Sequence, residues 1–240
     1  MKYIDKDNLS DYAFLNEDTL VYPLRAVCVS FHGYTDGTRH NKSNEMARRL
    51  GERGIAWVFP YYSVWAWMSR SSMEFNEQVL DAVYEKLNAG EEIPLIVSGG
   101  SMGGLTALNY LIYGKRRAIG CAVNCPVTDV FRMFDDNPAC RAAILSAHIE
   151  KEGELDEILK SHSPVHFAAK LPRIPYLFVY GGKDEYFTQK QRPAMQKALD
   201  EEGIAHQMLV QPQMAHCDMN PYPDAFNKYC DFLIGLPSLR

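Results

Sequence analysis

The chain has 240 residues, of which 47% are hydrophobic and 23% are charged, and its formal net charge is −5. These values are typical of an ordinary globular protein, and the length is compatible with a single α/β domain over residues 1–240. The acidic balance, with no basic block, argues against a nucleic-acid partner, and no stretch is apolar for long enough to cross a membrane. We therefore expect a protein that binds neither nucleic acid nor membrane.

The six cysteines form no C-x-x-C pair. Cys121 and Cys125 are four residues apart, but no second cysteine or histidine pair lies at zinc-binding spacing. The sequence therefore predicts no metal site. Free thiols favour a reducing compartment, and the N-terminus MKYIDKDNLSDY lacks the apolar segment of a signal peptide. We expect a cytoplasmic protein.

Apolar strand patterns alternate with helical patterns along the chain, which predicts a mainly parallel sheet with helices on both faces. A weak strand pattern lies at residues 19–22, and a helix start is indicated at Ser71 or Ser72. The segment 126–170 has a polar, helical pattern and is predicted to form a small helical cap. The strong strands are predicted at residues 25–31, 55–60, 94–97, 118–124, 176–180 and 206–210, and the other helices at 44–53, 101–113, 193–202 and 224–233.

Residues 93–105, IPLIVSGGSMGGL, contain the pattern G-x-S-x-G as Gly99, Ser101 and Gly103. A strand before it and a helix after it are the context of a nucleophile elbow, in which a sharp turn exposes a reactive serine. A phosphate-binding loop would have a lysine after the glycines, where this chain has Leu105. A plain glycine-rich turn is the remaining alternative.

A serine hydroxyl attacks a carbonyl only when a base takes its proton, and that base is commonly a histidine oriented by a carboxylate. Asp184 and His216 each follow a predicted strand, and active-site groups gather at the carboxyl ends of parallel strands. Taken singly, Asp184 could be a turn former and His216 a surface histidine, and Asp129 is a rival acid. The order Ser101, Asp184, His216 nevertheless predicts a catalytic triad.

A tetrahedral intermediate carries a negative charge that two fixed N–H groups should stabilise. The N–H of Met102, at the start of a helix, is one candidate. The N–H of Tyr34, in the turn-rich loop HGYTDG, is the other, with His32 in a structural role. Together these two groups are the predicted oxyanion hole, although HGYTDG could also be only a turn.

The segments HGYTDG, GGSMGG, GGKDEYF and MAHCDM together resemble the α/β-hydrolase superfamily, in particular small esterases close to the prolyl oligopeptidase catalytic domain. The resemblance covers the chain from about Arg25 onward. It implies Ser101 as nucleophile, Asp184 and His216 as its partners, and Tyr34 and Met102 as the oxyanion hole. True prolyl oligopeptidases carry a large N-terminal domain, whereas here only a short segment precedes the first strong strand, which favours esterase over peptidase activity.

The aromatic run after the strand at 55–60 leaves the sheet at the edge where the triad is expected. Tyr61, Tyr62, Trp65 and Trp67 are candidates for lining an apolar acyl or alcohol pocket. The alternative is that they pack beneath the cap or form a patch for a homodimer.

The sequence thus predicts a cofactor-independent serine hydrolase acting on a small-molecule carboxylic ester. A prolyl-oligopeptidase-like peptidase or amidase, or a thioesterase, is the enzymatic alternative. The alternative outside enzymes is a binding protein of the same fold that has lost catalysis.

Overall fold

The computed structural model describes residues 3–186 and 188–238. Within these residues seven strands form one sheet in the order β1-β3-β2-β4-β5-β6-β7. β1 is antiparallel to β3, and every other neighbouring pair is parallel. The strands are β1 Ala13–Leu15, β2 Ala26–Phe31, β3 Ile55–Pro60, β4 Leu95–Gly100, β5 Ala118–Asn124, β6 Tyr176–Gly181 and β7 His206–Gln211.

Helices cover both faces of the sheet, as the sequence predicts. Side chains alternate between the faces of a strand, so β2 sends Val27 and Val29 into one core and Ala26 and Cys28 into the other. The first core includes residues of the helices Arg70–Lys86 and Met102–Tyr113, and the second includes residues of the helices Glu45–Gly51 and Pro223–Gly235. The helices are α1 Glu45–Gly51, α2 Arg70–Lys86, α3 Met102–Tyr113, α4 Val130–Asp136, α5 Pro138–His148, α6 Leu155–Ser161, α7 Pro164–Phe167, α8 Thr188–Glu201 and α9 Pro223–Gly235.

The first strand is not where the sequence pattern placed it. Residues 19–22 form turns and irregular backbone, and β1 instead pairs Ala13 with Pro60 and Leu15 with Val58. A three-residue strand is too short to show an alternating pattern, so only its pairing with β3 defines it. Asn16, which directly follows β1, is buried and links this strand to α1 and β3. Its side chain forms hydrogen bonds with backbone atoms of Ala47, Ile55 and Trp57.

Two helix starts also differ from expectation. α2 begins earlier than predicted, because Ser69 rather than Ser71 or Ser72 accepts the capping hydrogen bond from the N–H of Ser72. α8 begins at Thr188, so Pro193 lies inside it instead of starting it. Proline is frequent at the first position of a helix but does not have to begin one. Here the residues before Pro193 are also helical, so α8 extends further toward the N-terminus.

The segment 126–170 contains α4 to α7 and no strand, and its role as a cap stays a prediction. None of its residues lines the cavity beside Ser101 that is described below. No helix in the described part of the chain has the length and apolarity to cross a membrane.

Candidate active site

Ser101 lies at the abrupt junction between β4 and α3. Its backbone has φ 55° and ψ −121°, a conformation that a residue with a side chain adopts only when its surroundings enforce it. Its N–H donates to the carbonyl of Asn124 on β5 at 2.9 Å, and its carbonyl accepts from Val127 at 3.1 Å. These bonds tie the turn to the neighbouring strand, which holds the serine side chain above the carboxyl edge of the sheet.

The glycines beside Ser101 are required for space. A Cβ atom on Gly99 would lie 2.4 Å from the carbonyl oxygen of Gly103, and one on Gly103 would lie 2.0 Å from that of Phe31. Neither glycine has a positive φ, so the requirement is steric and does not concern backbone freedom. β2, β4 and α3 therefore approach one another closely only because both positions lack side chains.

Ser101, His216 and Asp184 form a continuous hydrogen-bonded chain. The Nε2 atom of His216 is 2.9 Å from the Oγ of Ser101, and its Nδ1 is 2.7 Å from the Oδ2 of Asp184. The Asp184 carboxylate is buried, and its second oxygen accepts the N–H of Tyr186 at 3.0 Å. Such a chain can move a proton from the serine to the imidazole while the carboxylate stabilises the resulting cation.

The electrostatics of the site favour a charged imidazole. Burial would lower the pKa of His216, but the hydrogen bond to Asp184 and the contact with Cys125 together outweigh burial and raise that pKa to about 9. The hydrogen bond with Cys217, opposed by burial, lowers the pKa of the Cys125 thiol to about 6. Asp184 and Cys125 are therefore the two groups that stabilise the imidazolium form of His216.

The rival acid and the other histidines lie elsewhere. Asp129 caps α4 by accepting the N–H of Arg132 at 2.9 Å and is 3.9 Å from His166. His148 is only 3% exposed, and its ring is 4.8 Å from that of His162.

The loop after β2 lies against the elbow. A Cβ atom on Gly33 would be 3.6 Å from the Cβ of Ser101, so the backbone of this loop passes directly beside the serine. Both ring nitrogens of His32 lie near carbonyl oxygens, those of Gly33 and Tyr62, at 2.9 and 3.1 Å. His32 thus holds the loop that carries Tyr34. Met102 is the first residue of α3, where backbone N–H groups have no partner within the helix.

The aromatic run after β3 divides between core and surface. Tyr62 and Trp67 are 4% and 1% exposed, and the Tyr62 hydroxyl donates to the carbonyl of His32 at 2.7 Å. Trp65 is 55% exposed and contacts the Tyr34 ring edge-to-face at 5.4 Å. Tyr61 lies further out, where its hydroxyl accepts the N–H of His40. Tyr62 and Trp67 therefore brace the Tyr34 loop, and a pocket role for the four aromatic residues stays a prediction.

A cavity of about 430 Å³ opens beside the serine and the histidine, and none of the four aromatic residues lines it. The sequence analysis did not identify its walls. Trp57 and Phe59 could have been found, because they share one face of β3 near its carboxyl end. The lining residues include Gly33, Tyr34, His40, Asn44, Met46, Trp57, Phe59, Ser101, Asn124, His216, Cys217, Met219, Phe226 and Tyr229.

Solved structures of related architecture include both peptidases and esterases. An acylaminoacyl peptidase from Pyrococcus horikoshii matches with a TM-score of 0.68 and 16% identity, over 90% of this chain and 37% of that one. Esterase B from Lactobacillus rhamnosis matches with a TM-score of 0.69 and 16% identity, over 92% of this chain and 78% of that one. A truncated carbohydrate esterase from gut microbiota matches with a TM-score of 0.73 and 13% identity, over 94% of this chain and 90% of that one.

At these identities the structural matches establish the fold, and this chain spans little more than a third of the peptidase. Among curated proteins, none matches the chain. The model of the prolyl oligopeptidase family, by contrast, matches residues 60–233, which include Ser101, Asp184 and His216. The match covers well over half of the sequence, and the fold is that of an α/β-hydrolase. The chain therefore belongs to the prolyl oligopeptidase family of hydrolases.

Proposed function

We propose that the protein is a serine esterase that cleaves small carboxylic esters through an acyl-enzyme on Ser101. The observation that carries this proposal is the hydrogen-bonded chain from Ser101 through His216 to buried Asp184. Family membership supports hydrolysis as the reaction class. Two esterases of the same fold, of which this chain spans 78% and 90%, support an ester in preference to a peptide as substrate.

In the proposed reaction His216 Nε2 accepts the hydroxyl proton as Ser101 Oγ attacks the ester carbonyl. Asp184 keeps the ring oriented and stabilises the imidazolium. The N–H groups of Met102 and Tyr34 stabilise the oxyanion, a contribution of about 3–4 kcal/mol for each donor. His216 then returns the proton to the leaving alcohol.

Water completes the cycle. Its proton goes to His216 as its oxygen attacks the acyl-serine, and collapse of the second intermediate releases the acid and returns the proton to Ser101. The cavity walled by Trp57, Phe59 and Phe226 is the proposed site for the acyl or alcohol group, because it borders both Ser101 and His216.

The test uses wild type, Ser101→Ala and the control Ser10→Ala, which replaces an exposed serine. A fluorophosphonate probe should label wild type and Ser10→Ala and leave Ser101→Ala unlabelled. Hydrolysis of p-nitrophenyl acetate should fall at least about 10³-fold in Ser101→Ala with thermal unfolding unchanged, since only the nucleophile is removed. Hydrolysis at the wild-type rate by Ser101→Ala would refute the proposed nucleophile.

The same proteins separate the alternative functions. Aminoacyl-proline amides test for a peptidase, and acyl thioesters test for a thioesterase. Faster turnover of either class than of p-nitrophenyl esters would replace the ester assignment while retaining the serine. Absence of labelling and turnover in wild type would instead indicate a binding protein without catalysis.

A further inference from the structure

Two cysteines that are far apart in the sequence meet the candidate catalytic histidine. Cys125 follows β5 and Cys217 directly follows His216. The two sulfur atoms and a ring nitrogen of His216 all lie within 4.8 Å of one another. The cluster was not visible in the sequence, because its spacing is unlike that of a zinc motif and only the packing of the His216 loop against the end of β5 creates it.

Both cysteines are held firmly in this arrangement. Cys125 and Cys217 have φ values of 43° and 58°, in the left-handed region that residues with side chains rarely adopt. The N–H of Cys217 donates to the Sγ of Cys125 at 3.4 Å, and the Nδ2 of Asn124 donates to the carbonyl of Cys217 at 2.9 Å. The bare Gly100 makes room beneath, since a Cβ there would lie 3.3 Å from the Cys217 sulfur.

The three donor atoms suit a soft divalent cation. In tetrahedral zinc sites with bonds of about 2.3 Å to sulfur and 2.0–2.1 Å to nitrogen, neighbouring donors are about 3.6–3.8 Å apart. From a maximum of 4.8 Å the present donors need to close by only about 1 Å. His216 and Cys217 also line the 430 Å³ cavity, which provides a path for entry.

We infer that Cys125, His216 and Cys217 bind Zn²⁺, and that bound Zn²⁺ switches the hydrolase off. Zn²⁺ binds both cysteines as thiolates and His216 as a neutral imidazole, so whatever protons the two sulfur atoms and the binding ring nitrogen carry are released to solvent. Two sulfur–zinc bonds and one nitrogen–zinc bond form, with no change in oxidation state. Zinc on Nε2 occupies the lone pair that would accept the serine proton, whereas zinc on Nδ1 displaces Asp184 and leaves the remaining ring proton on Nε2. In either case the serine loses its base. The metal site stands on its own donors, whereas the inhibition rests on the proposed function.

The experiment uses the full chain, reduced with a phosphine and freed of metal by chelation. Binding is read from Co²⁺, because thiolate ligation produces a near-ultraviolet charge-transfer band that Zn²⁺ then displaces. We expect one equivalent of metal in wild type, and at least about tenfold weaker binding in Cys125→Ser and Cys217→Ser. Cys230→Ala removes a buried thiol on α9 outside the cluster and should bind as wild type does.

Inhibition is measured on the same samples with p-nitrophenyl acetate. Stoichiometric Zn²⁺ should abolish wild-type hydrolysis, EDTA should restore it, and Mg²⁺, which prefers oxygen ligands, should have no effect. The rate of each cysteine variant is compared with the rate of the same variant without metal. The Zn²⁺ concentration that halves this rate should be at least about tenfold higher in Cys125→Ser and Cys217→Ser than in wild type.

The outcomes separate the two proposals. Absence of the charge-transfer band in wild type, or Zn²⁺ affinity equal in wild type and the two variants, overturns the metal site even if the protein hydrolyses esters. A band that depends on both cysteines supports the site even in a protein that hydrolyses no ester, and it is then the proposed function that fails. Full hydrolysis with metal bound overturns the switch.

Discussion

Replacing Gly103 by alanine should damage stability and catalysis together. The added methyl would lie 2.0 Å from the Phe31 oxygen and 2.6 Å from the His32 oxygen, whereas ordinary contact begins at 3.4 Å. The start of α3 must therefore retreat from the end of β2 by about 1.4 Å. The methyl is fixed to the backbone of α3, and the atoms that it meets are backbone atoms of Phe31 and His32, so neither side can rotate away.

Overpacking of this kind costs about 1–3 kcal/mol, and the rigid surroundings place the expected loss of unfolding free energy near 3 kcal/mol. The same retreat separates the N–H of Met102 from the loop that carries Tyr34. Loss of one aligned oxyanion donor lowers kcat by about 10²–10³-fold. Urea unfolding and p-nitrophenyl acetate hydrolysis measure the two effects on one preparation.

Gly235→Ala is the matched control, because a Cβ atom there meets nothing within 4 Å and the residue already lies in α9. It should change the free energy of unfolding by less than about 1 kcal/mol and leave kcat unchanged. If Gly103→Ala unfolds at the wild-type urea concentration and retains wild-type kcat, the steric account of the elbow is wrong.

Two further predictions follow from the hydrogen bonds that His216 and Asn16 make. Only neutral His216 can accept the serine proton, so kcat/KM should rise with pH along a curve centred above 6.5, toward the raised pKa of about 9. Asp184→Asn should move that midpoint downward and cut kcat by about 10³–10⁴-fold; an unchanged midpoint would contradict the assigned pairing. Asn16→Ala should cost about 1–3 kcal/mol in urea unfolding, because it leaves the buried N–H of Trp57 without the acceptor now 2.7 Å away. Exposed Asn41→Ala should stay within about 0.5 kcal/mol, and equal losses in the two variants would refute this reasoning.

Local sequence determined much of the fold. The apolar strands and the helices between them predict a parallel sheet because both faces of each strand must be buried. The elbow at Ser101 could be predicted because strand, glycines and helix are contiguous. Asp184 and His216 could be proposed from chain order and strand ends, and the structure brings both within hydrogen-bonding distance of the expected partners.

Packing between distant segments decided the rest. β1 exists through its pairing with β3, and the burial of His148 depends on which elements later cover α5. The contacts of Tyr62 and Trp67 with the loop that carries His32 and Tyr34 likewise join distant parts of the chain. No sequence pattern records such contacts, because they join residues whose separation along the chain has no fixed period.

The cluster of Cys125, His216 and Cys217 shows most clearly what the sequence determines and what only packing decides. The sequence alone predicts this histidine as a base and predicts no metal site, since Cys125 and Cys217 are remote from each other in the chain. Tertiary structure places both sulfur atoms beside the imidazole, because β5 ends under the loop that carries His216. Strand ends converge at one edge of a parallel sheet, so which side chains meet there is decided by strand order and loop conformation, neither of which is encoded locally.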